Sequence, residues 1–502
     1  MFNFIIKLIL IFLLVFTPIA FGSMELWAFS IMELAILLII ILWAIQNIIG
    51  VGSTHSRVNS STLPNSAFRI LHSEFIMVFL CIFLLLILFQ LLPLPSGLIK
   101  ILSPRTFEIR HQLLMTNNQL PMTTLSFVPF VTQVNFFKWL TLIGLFLFLL
   151  RWRPLELGDR TITHLIIVVM MVGVFESLYG MFEFFSGHGQ ILNLDEEGIV
   201  SSVTGTFINR NYFAGYLLMV VPLSIGYLFS REPARRNTSM GLRHRLASLD
   251  GKTLLLGFGV IVMIVGLIFS ASRMGISSLL LSFTLISFLF RDPQREKKFS
   301  KTSILIFGLA VLWAAWIGLD AVLSRFITST EDFGFRWTIW KNTFQILKDF
   351  PLFGSGLGTF TYIFPMYRSF HIQGLATHAE NDFLQLASEV GLVGIGLLLI
   401  LFLFLSYKAI SGIRLLTYRD SGRYIGIGGL VGILALMFHS LVERNIQVPS
   451  NAFLYTILWA IVLRISLNEK GAMSTGAYQN ISASVSRISE YQNIRDEHEK
   501  SG

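Results

Sequence analysis

Long apolar runs dominate the chain and are separated by short polar segments. A helix that crosses a hydrocarbon core needs about 20 mostly apolar residues. Runs of that kind recur twelve times, near 2–21, 26–49, 75–94, 134–150, 162–185, 212–229, 253–270, 275–290, 303–322, 383–407, 425–441 and 451–465, the fourth and eighth being the shortest. Strict alternation at period two, the mark of a membrane barrel, is absent. The pattern predicts an all-α polytopic membrane protein of about 12 transmembrane helices. A single integral membrane domain spans 1–466, and 467–502 form a polar tail too poor in apolar residues to build a core, which reads as disordered. The first run is long and has only Lys7 ahead of its apolar centre, so it reads as an uncleaved helix rather than a signal peptide.

Composition supports this pattern: 54% of the 502 residues are hydrophobic and 13% are charged, against roughly 25% charged in a soluble protein. Lys and Arg then orient the bundle. With the N-terminus inside, 26 of the 38 fall in inner loops and tails, as the positive-inside rule requires. Both termini are therefore expected in the cytoplasm, with the working face on the non-cytoplasmic side. The formal charge of +9 reads as this topology signal and not as a nucleic-acid footprint. Cys81 is the one cysteine, so no intramolecular disulfide holds the exported loops. Three outer segments are long: 95–133, 186–211 and 323–382, the last a large loop between the ninth and tenth helices.

Outer cations are few. The large loop has Arg325, Arg336, Lys341, Lys348 and Arg368 with His371 and His378, and short connections add Arg210, Arg273 and Arg444. Any single one reads as snorkelling to the interface. Arg273 differs, because it lies in the tight turn Ser270-Ala271-Ser272-Arg273 between two apolar spans. A charge there is expensive and finds a partner or a pathway, and several arginines at one membrane face suit a phosphate or diphosphate. In the stretch 377–391, His378, Asp382, Gln385 and Glu389 are spaced four, three and four apart, one face if the stretch is helical. That stripe reads as the lip and wall of a polar cavity, or as a hydrogen-bonded seam between helices. A histidine at its head titrates near enough to neutrality to act as a base. Segment 334–344 reads as an amphipathic interfacial helix, with Trp337, Trp340 and Phe344 on one face and Lys341, Gln345 and Lys348 on another. The glycine-rich 351–358 that follows offers amides to a phosphate but reads better as a plain turn. Glu176 with Glu183, and His439 with Glu443, either line the cavity or brace helices. Asp195-Glu196-Glu197 reads as a solvated loop, and no His/Cys cluster has zinc spacing.

Four blocks give the chain a family likeness: Gly205-Thr206-Phe207-Ile208-Asn209-Arg210-Asn211-Tyr212-Phe213-Ala214, Ser270-Ala271-Ser272-Arg273, Arg336 through Gly358, and His378 through Gly391. In these the sequence resembles the O-antigen ligase and O-antigen polymerase superfamily. The resemblance implies a twelve-helix GT-C-like enzyme that moves a glycan from undecaprenyl diphosphate to a lipid A-core or growing-polysaccharide acceptor at the periplasmic face. It implies an inverting transfer without metal, cofactor or nucleotide sugar, and membrane lipids but no nucleic acid as partners. His378 is similar to the family's loop histidine, and Arg336 and Arg273 to its diphosphate-binding arginines, with Arg210 beside them. Ala271 stands where glycine is common, and Glu380 and Asn381 where Asn, Ser or Gln are common. Arg273, Arg336 and His378 are thus expected to converge in one outward-open cavity, with Arg210 near and Asp382, Gln385 and Glu389 in its wall. A transporter is the alternative of another class, since a polar stripe in a bundle also suits a pathway. Flux without glycan transfer would distinguish it. A plain scaffold leaves the buried charges unexplained.

Overall fold

A computed structural model describes residues 2–51, 65–113, 122–155, 160–187, 202–231, 250–290, 330–370, 376–417 and 420–467. The expected span at 303–322, Arg325, His371, the acidic run 195–197 and the tail beyond Leu467 lie outside the described residues. Within them the protein is an all-α polytopic membrane protein, with ten helices long and apolar enough to cross a bilayer. In chain order the helices are α1 (Phe2–Ile19), α2 (Leu26–Val51), α3 (Asn65–Leu91), the short α4 (Ser96–Leu102) and α5 (Pro104–Leu113), α6 (Pro129–Arg151), α7 (Arg160–Ser186), α8 (Arg210–Ser230), α9 (Gly251–Phe269), α10 (Arg273–Leu289), α11 (Thr330–Asp349), the single turn α12 (Phe360–Ile363), α13 (Asp382–Leu415), α14 (Ser421–His439) and α15 (Pro449–Leu467). A two-residue antiparallel bridge pairs Leu94–Pro95 with Met122–Thr123. The expected eighth span is α10, at 17 residues shorter than the other spans. The fourth, α6, starts five residues ahead of its apolar run, with Pro129 in its first turn. Its polar start is tolerated because Thr132 bonds the Ser126 hydroxyl and the Leu357 carbonyl, at 2.7 and 3.0 Å.

Helices α8, α14 and α15 are buried along most of their length, while α1, α2, α3, α6 and α13 turn most of their surface outward. Leu8, Phe12, Leu34, Ile41, Leu85 and Phe137 are among the large apolar side chains left exposed, as lipid-facing positions should be. At the centre α8 and α14 touch backbone to backbone. A β-carbon at Gly428 would strike the Pro222 carbonyl, and one at Gly226 the Tyr424 carbonyl. Small residues at such contacts let helices gain van der Waals contact where lipid removes the hydrophobic drive.

The two ends of the bundle differ. At one end Trp152 donates to Asn3 at 3.0 Å, and the Arg464 guanidinium donates to the carbonyls of Leu150 and Trp152, both at 3.0 Å. The start of α1 and the end of α15 therefore meet at the same end. At the other end a small second core, Ile109, Ile339, Ile346, Phe350, Phe360, Ile363, Phe364 and Ala379, joins α5, α11 and α12 into a cap. On α11 the outward stripe is Trp337, Lys341, Phe344 and Lys348, with Lys341 5.8 Å over the Trp337 ring and Lys348 5.1 Å over the Phe344 ring. The aromatic and cationic positions thus share one face, and Trp340 leaves the expected aromatic face and turns inward.

Helix α13 is broken inside the bundle. Gly391 takes φ 68° and ψ −177°, a conformation reserved for glycine. The turn Pro351–Gly358 fills the break. Ser355 and Gly356 amides bond the carbonyls of Ser388 and Glu389, and the amides of Leu392 and Val393 bond the carbonyls of Pro351 and Leu352. Gln90 of α3 locks the joint by donating to the Phe353 and Glu389 carbonyls at 2.6 and 2.9 Å. The Ser388 and Glu389 carbonyls and the Leu392 and Val393 amides are thus paired across the break, as burial demands.

Candidate functional site

The polar groups gather under the cap. His378 lies in the segment before α13, not on it. Asn381 caps that helix by accepting the Leu384 amide at 2.9 Å, and Glu380 turns with φ 51°. The helical stripe therefore begins at Asp382 and the histidine hangs ahead of it. Its backbone is clamped on both sides. Thr361 donates to the Thr377 carbonyl at 3.0 Å, Trp340 to the Ala379 carbonyl at 3.0 Å, and the Ala379 amide to Gln385 Oε1 at 3.0 Å. The His378 ring is half-buried, and its Nε2 accepts from Arg444. A guanidinium only donates, so Nδ1 carries the proton and the ring is neutral. Burial first, then the charges of Arg444 and Lys138, hold this histidine far below the usual imidazole range.

Asp382, Gln385 and Glu389 do share one face of α13, but their polar atoms are turned into neighbouring loops. Asp382 Oδ2 accepts the amides of Asn445 and Ile446, each at 2.7 Å. Glu389 accepts the amides of Gly358 and Phe360 at 2.8 and 3.4 Å, and Gln385 Nε2 donates to it at 3.1 Å. The amide of Gly358 is thus used on a carboxylate of this chain. The stripe fixes three loops against one another, which is how it shapes the site.

Arg336 of α11 reaches the loop after α14. It donates to the Val442 carbonyl at 2.6 Å and forms an ion pair with Glu443. Burial pushes the Glu443 carboxyl up to about 7, and Arg336 keeps it from rising further. Asn211, one residue after Arg210, also bonds Glu443, and Tyr212 lies under Arg444 at 6.0 Å from the ring centroid. Arg210 itself is the first residue of α8, half-buried at the same end of the bundle. Arg273 opens α10, and its neighbour Ser272 meets His439 Nε2 at 3.4 Å. The Asn445 side chain lies 3.1 Å from the other ring nitrogen of His439, and its backbone amide donates to Asp382 at 2.7 Å. A continuous chain of bonds thus joins the Arg273 turn to the root of α13, four residues from His378. Ala271 takes φ 52°, a left-handed conformation that glycine adopts at less cost.

Glu176, expected to line the site or brace helices, braces. It is fully buried and accepts the amide and meets the hydroxyl of Thr206, both at 2.8 Å, tying the 205–210 turn to α7. Thr206→Val removes that hydroxyl and its 3.0 Å contact to the Pro18 carbonyl. It is expected to cost about 1–3 kcal/mol, read as a lowered melting temperature in detergent.

Two site residues escaped the sequence reading as members of the site. Arg444 stood among the outer cations with no feature to single it out. Lys138 sits inside the apolar run 134–150, with no spacing that ties it to the other polar residues. It donates to the Gln447 carbonyl at 2.8 Å, and its charged neighbours are Arg444, Asp382, Glu33 and Glu389. An ionisable residue at membrane depth is itself a pointer to a site, and that signal was legible.

No curated protein matches the chain. Residues 258–401 match the family described as O-antigen ligase. The matched stretch runs from within α9 into α13. It carries Arg273, Arg336, His378 and the Asp382, Gln385 and Glu389 stripe, and it ends before Arg444. Over that stretch this multi-pass membrane protein is similar to O-antigen ligases, and the match supports a ligase- or polymerase-type role in glycan assembly.

Proposed function

We propose that the protein transfers an undecaprenyl-diphosphate-linked glycan to a lipid A-core or polysaccharide acceptor at the periplasmic face of a bacterial inner membrane, with both termini in the cytoplasm. The observation that carries this reading is the neutral His378, clamped on both backbone sides and set among cations at one end of the bundle. A lipid diphosphate is already a good leaving group, so the demands are charge neutralisation and activation of a hydroxyl. Arg273, Arg336 and Arg210 are assigned to the diphosphate and His378 to the hydroxyl. The acceptor oxygen attacks the anomeric carbon from the face opposite the diphosphate. The new C–O bond forms as the bond to the diphosphate oxygen breaks, the electron pair leaves on undecaprenyl diphosphate, and His378 takes the acceptor proton. The configuration inverts. Guanidinium groups have the neutralising role that a metal ion has in other transferases.

The same site serves a ligase or a polymerase, and the accumulating intermediate separates them. Loss of a ligase is expected to leave full-length glycan on the lipid carrier, and loss of a polymerase to leave single repeat units. Gel separation of carrier-linked glycan from a deletion strain reads the difference. Full-length glycan on the acceptor in that strain would rule out both roles.

A further inference from the structure

Three of the acids around the site are engaged by groups other than Arg444. Asp382 takes two loop amides, Glu389 takes two more, and Glu443 takes Arg336. Arg444 has none of them: among the described residues no carboxylate lies at ion-pair distance from it. Its partners are the Nε2 lone pair of His378 and Tyr212, whose ring it faces and whose hydroxyl it bonds. Its own Nε is buried without a hydrogen-bond partner, and so is Nδ1 of His378. A half-buried guanidinium with a buried donor unpaired and no carboxylate at ion-pair distance is costly. Lys138 adds a second positive charge beside the same imidazole. Two cations thus lie beside one imidazole, and a guanidinium donor is spent on a neutral ring.

We propose that Arg444 is an anion-released latch on His378: a diphosphate takes the guanidinium, and the Nε2 lone pair is freed for the acceptor. This rests on the glycan-transfer reading only for the identity of the diphosphate as part of a lipid-linked donor. The exchange makes and breaks no covalent bond. One N–H turns from a ring nitrogen to a phosphate oxygen, which guanidinium binds with two parallel hydrogen bonds. Both steps favour the change. The anion supplies the missing counter-charge, and the ring loses a cation that opposed its protonation. The base is then competent only with the donor in place, so the donor binds before the acceptor is activated. Tyr212 supports the planar head of Arg444 in the latched position and keeps it close to the bound anion.

The test reads the histidine and not the transfer. Diethyl pyrocarbonate acylates an imidazole through a free lone pair, and peptide mass spectrometry follows His378 in the full chain in nanodiscs. Inorganic diphosphate is the probe, with sulfate at equal ionic strength as the control. His378 of the unaltered chain is expected to react slowly, and diphosphate to speed it about tenfold, the worth of one hydrogen bond to a charged group. In Arg444→Gln the reaction is expected to be fast from the start and indifferent to diphosphate. In Arg444→Lys part of the response is expected to remain. His439, fully buried, is the internal reference, and its acylation would expose a misfolded variant. The latch is overturned if diphosphate leaves the His378 rate unchanged or slows it, or if Arg444→Gln reacts at the unaltered rate while His439 stays protected. The outcomes separate from those of the glycan reading. If His378→Ala keeps transfer but the acylation response holds, the catalytic reading fails and the latch stands. If His378→Ala loses transfer and the response is missing, the reverse follows.

Discussion

Cells carrying His378→Ala at a normal protein level are expected to lose their surface glycan, with transfer in a reconstituted assay down about 10²–10⁴-fold, the usual worth of a positioned general base. The substitution should not unfold the protein. The ring's hydrogen-bond partner is Arg444, while the segment is held by backbone bonds from Thr361, Trp340 and Gln385 that an alanine leaves intact. Melting within a few degrees of the unaltered protein is the accompanying expectation. The pH profile is a second check. Burial and two cations hold the free-enzyme imidazole far below its ordinary range, so it stays neutral as pH falls through 6.5, the ordinary histidine value. The profile of kcat/KM, which reports the free enzyme, should show no acid limb there from this group. A bound diphosphate favours the protonated ring and raises its pKa, so kcat should fall in acid at a higher pH than kcat/KM does. Normal surface glycan with a well-expressed His378→Ala protein would remove His378 from the chemistry.

The membrane architecture was legible because one physical rule, enough apolar length to satisfy a backbone in lipid, acts locally along the chain. The polar start of α6 hid its first turn, since Thr132 is satisfied by Leu357, far along the sequence. The candidate site was legible as residue types but not as partnerships. Spacing put Asp382, Gln385 and Glu389 on one face, and they are on one face. Spacing also extended that face to His378, and there Asn381 ended the helix first, its side chain capping the Leu384 amide. Side-chain partners set by tertiary packing carry no local period. Glu389 meets Gly358, His378 meets Arg444, and Lys138 meets Gln447. Sequence spacing shows none of these pairs. The pairing also redistributes the cations. Arg336 looked like a cation for a ligand and has Glu443 against it, whereas Arg444 looked ordinary and has no acid at ion-pair distance among the described residues.

Gly391→Ala is expected to be the most damaging small substitution in the bundle. Two independent costs coincide at this residue. Its φ of 68° with ψ of −177° lies in a region that a side chain with a β-carbon occupies only under strain, at a cost of about 1–3 kcal/mol. The added β-carbon would also run into the backbone of Leu352 and Phe353, which has no soft end to yield. Relief of either cost requires the Pro351–Gly358 turn to leave the break in α13. That would strip the Leu392 and Val393 amides of their acceptors, and Glu389 of the Gly358 amide. Together the losses are on the order of 3–6 kcal/mol, comparable with the whole stability of many domains. The expected result is little folded protein by size exclusion in detergent, and in any that remains a melting temperature well below that of the unaltered chain. Gly396→Ala is the matched control five residues along the same helix. A β-carbon there meets nothing within 4 Å, and alanine is the better helix former by about 1 kcal/mol, so that variant should fold at least as well as the parent. Equal yields and equal melting for the two variants would show that the break in α13 is not the fixed joint on which the Pro351–Gly358 turn and Glu389 depend.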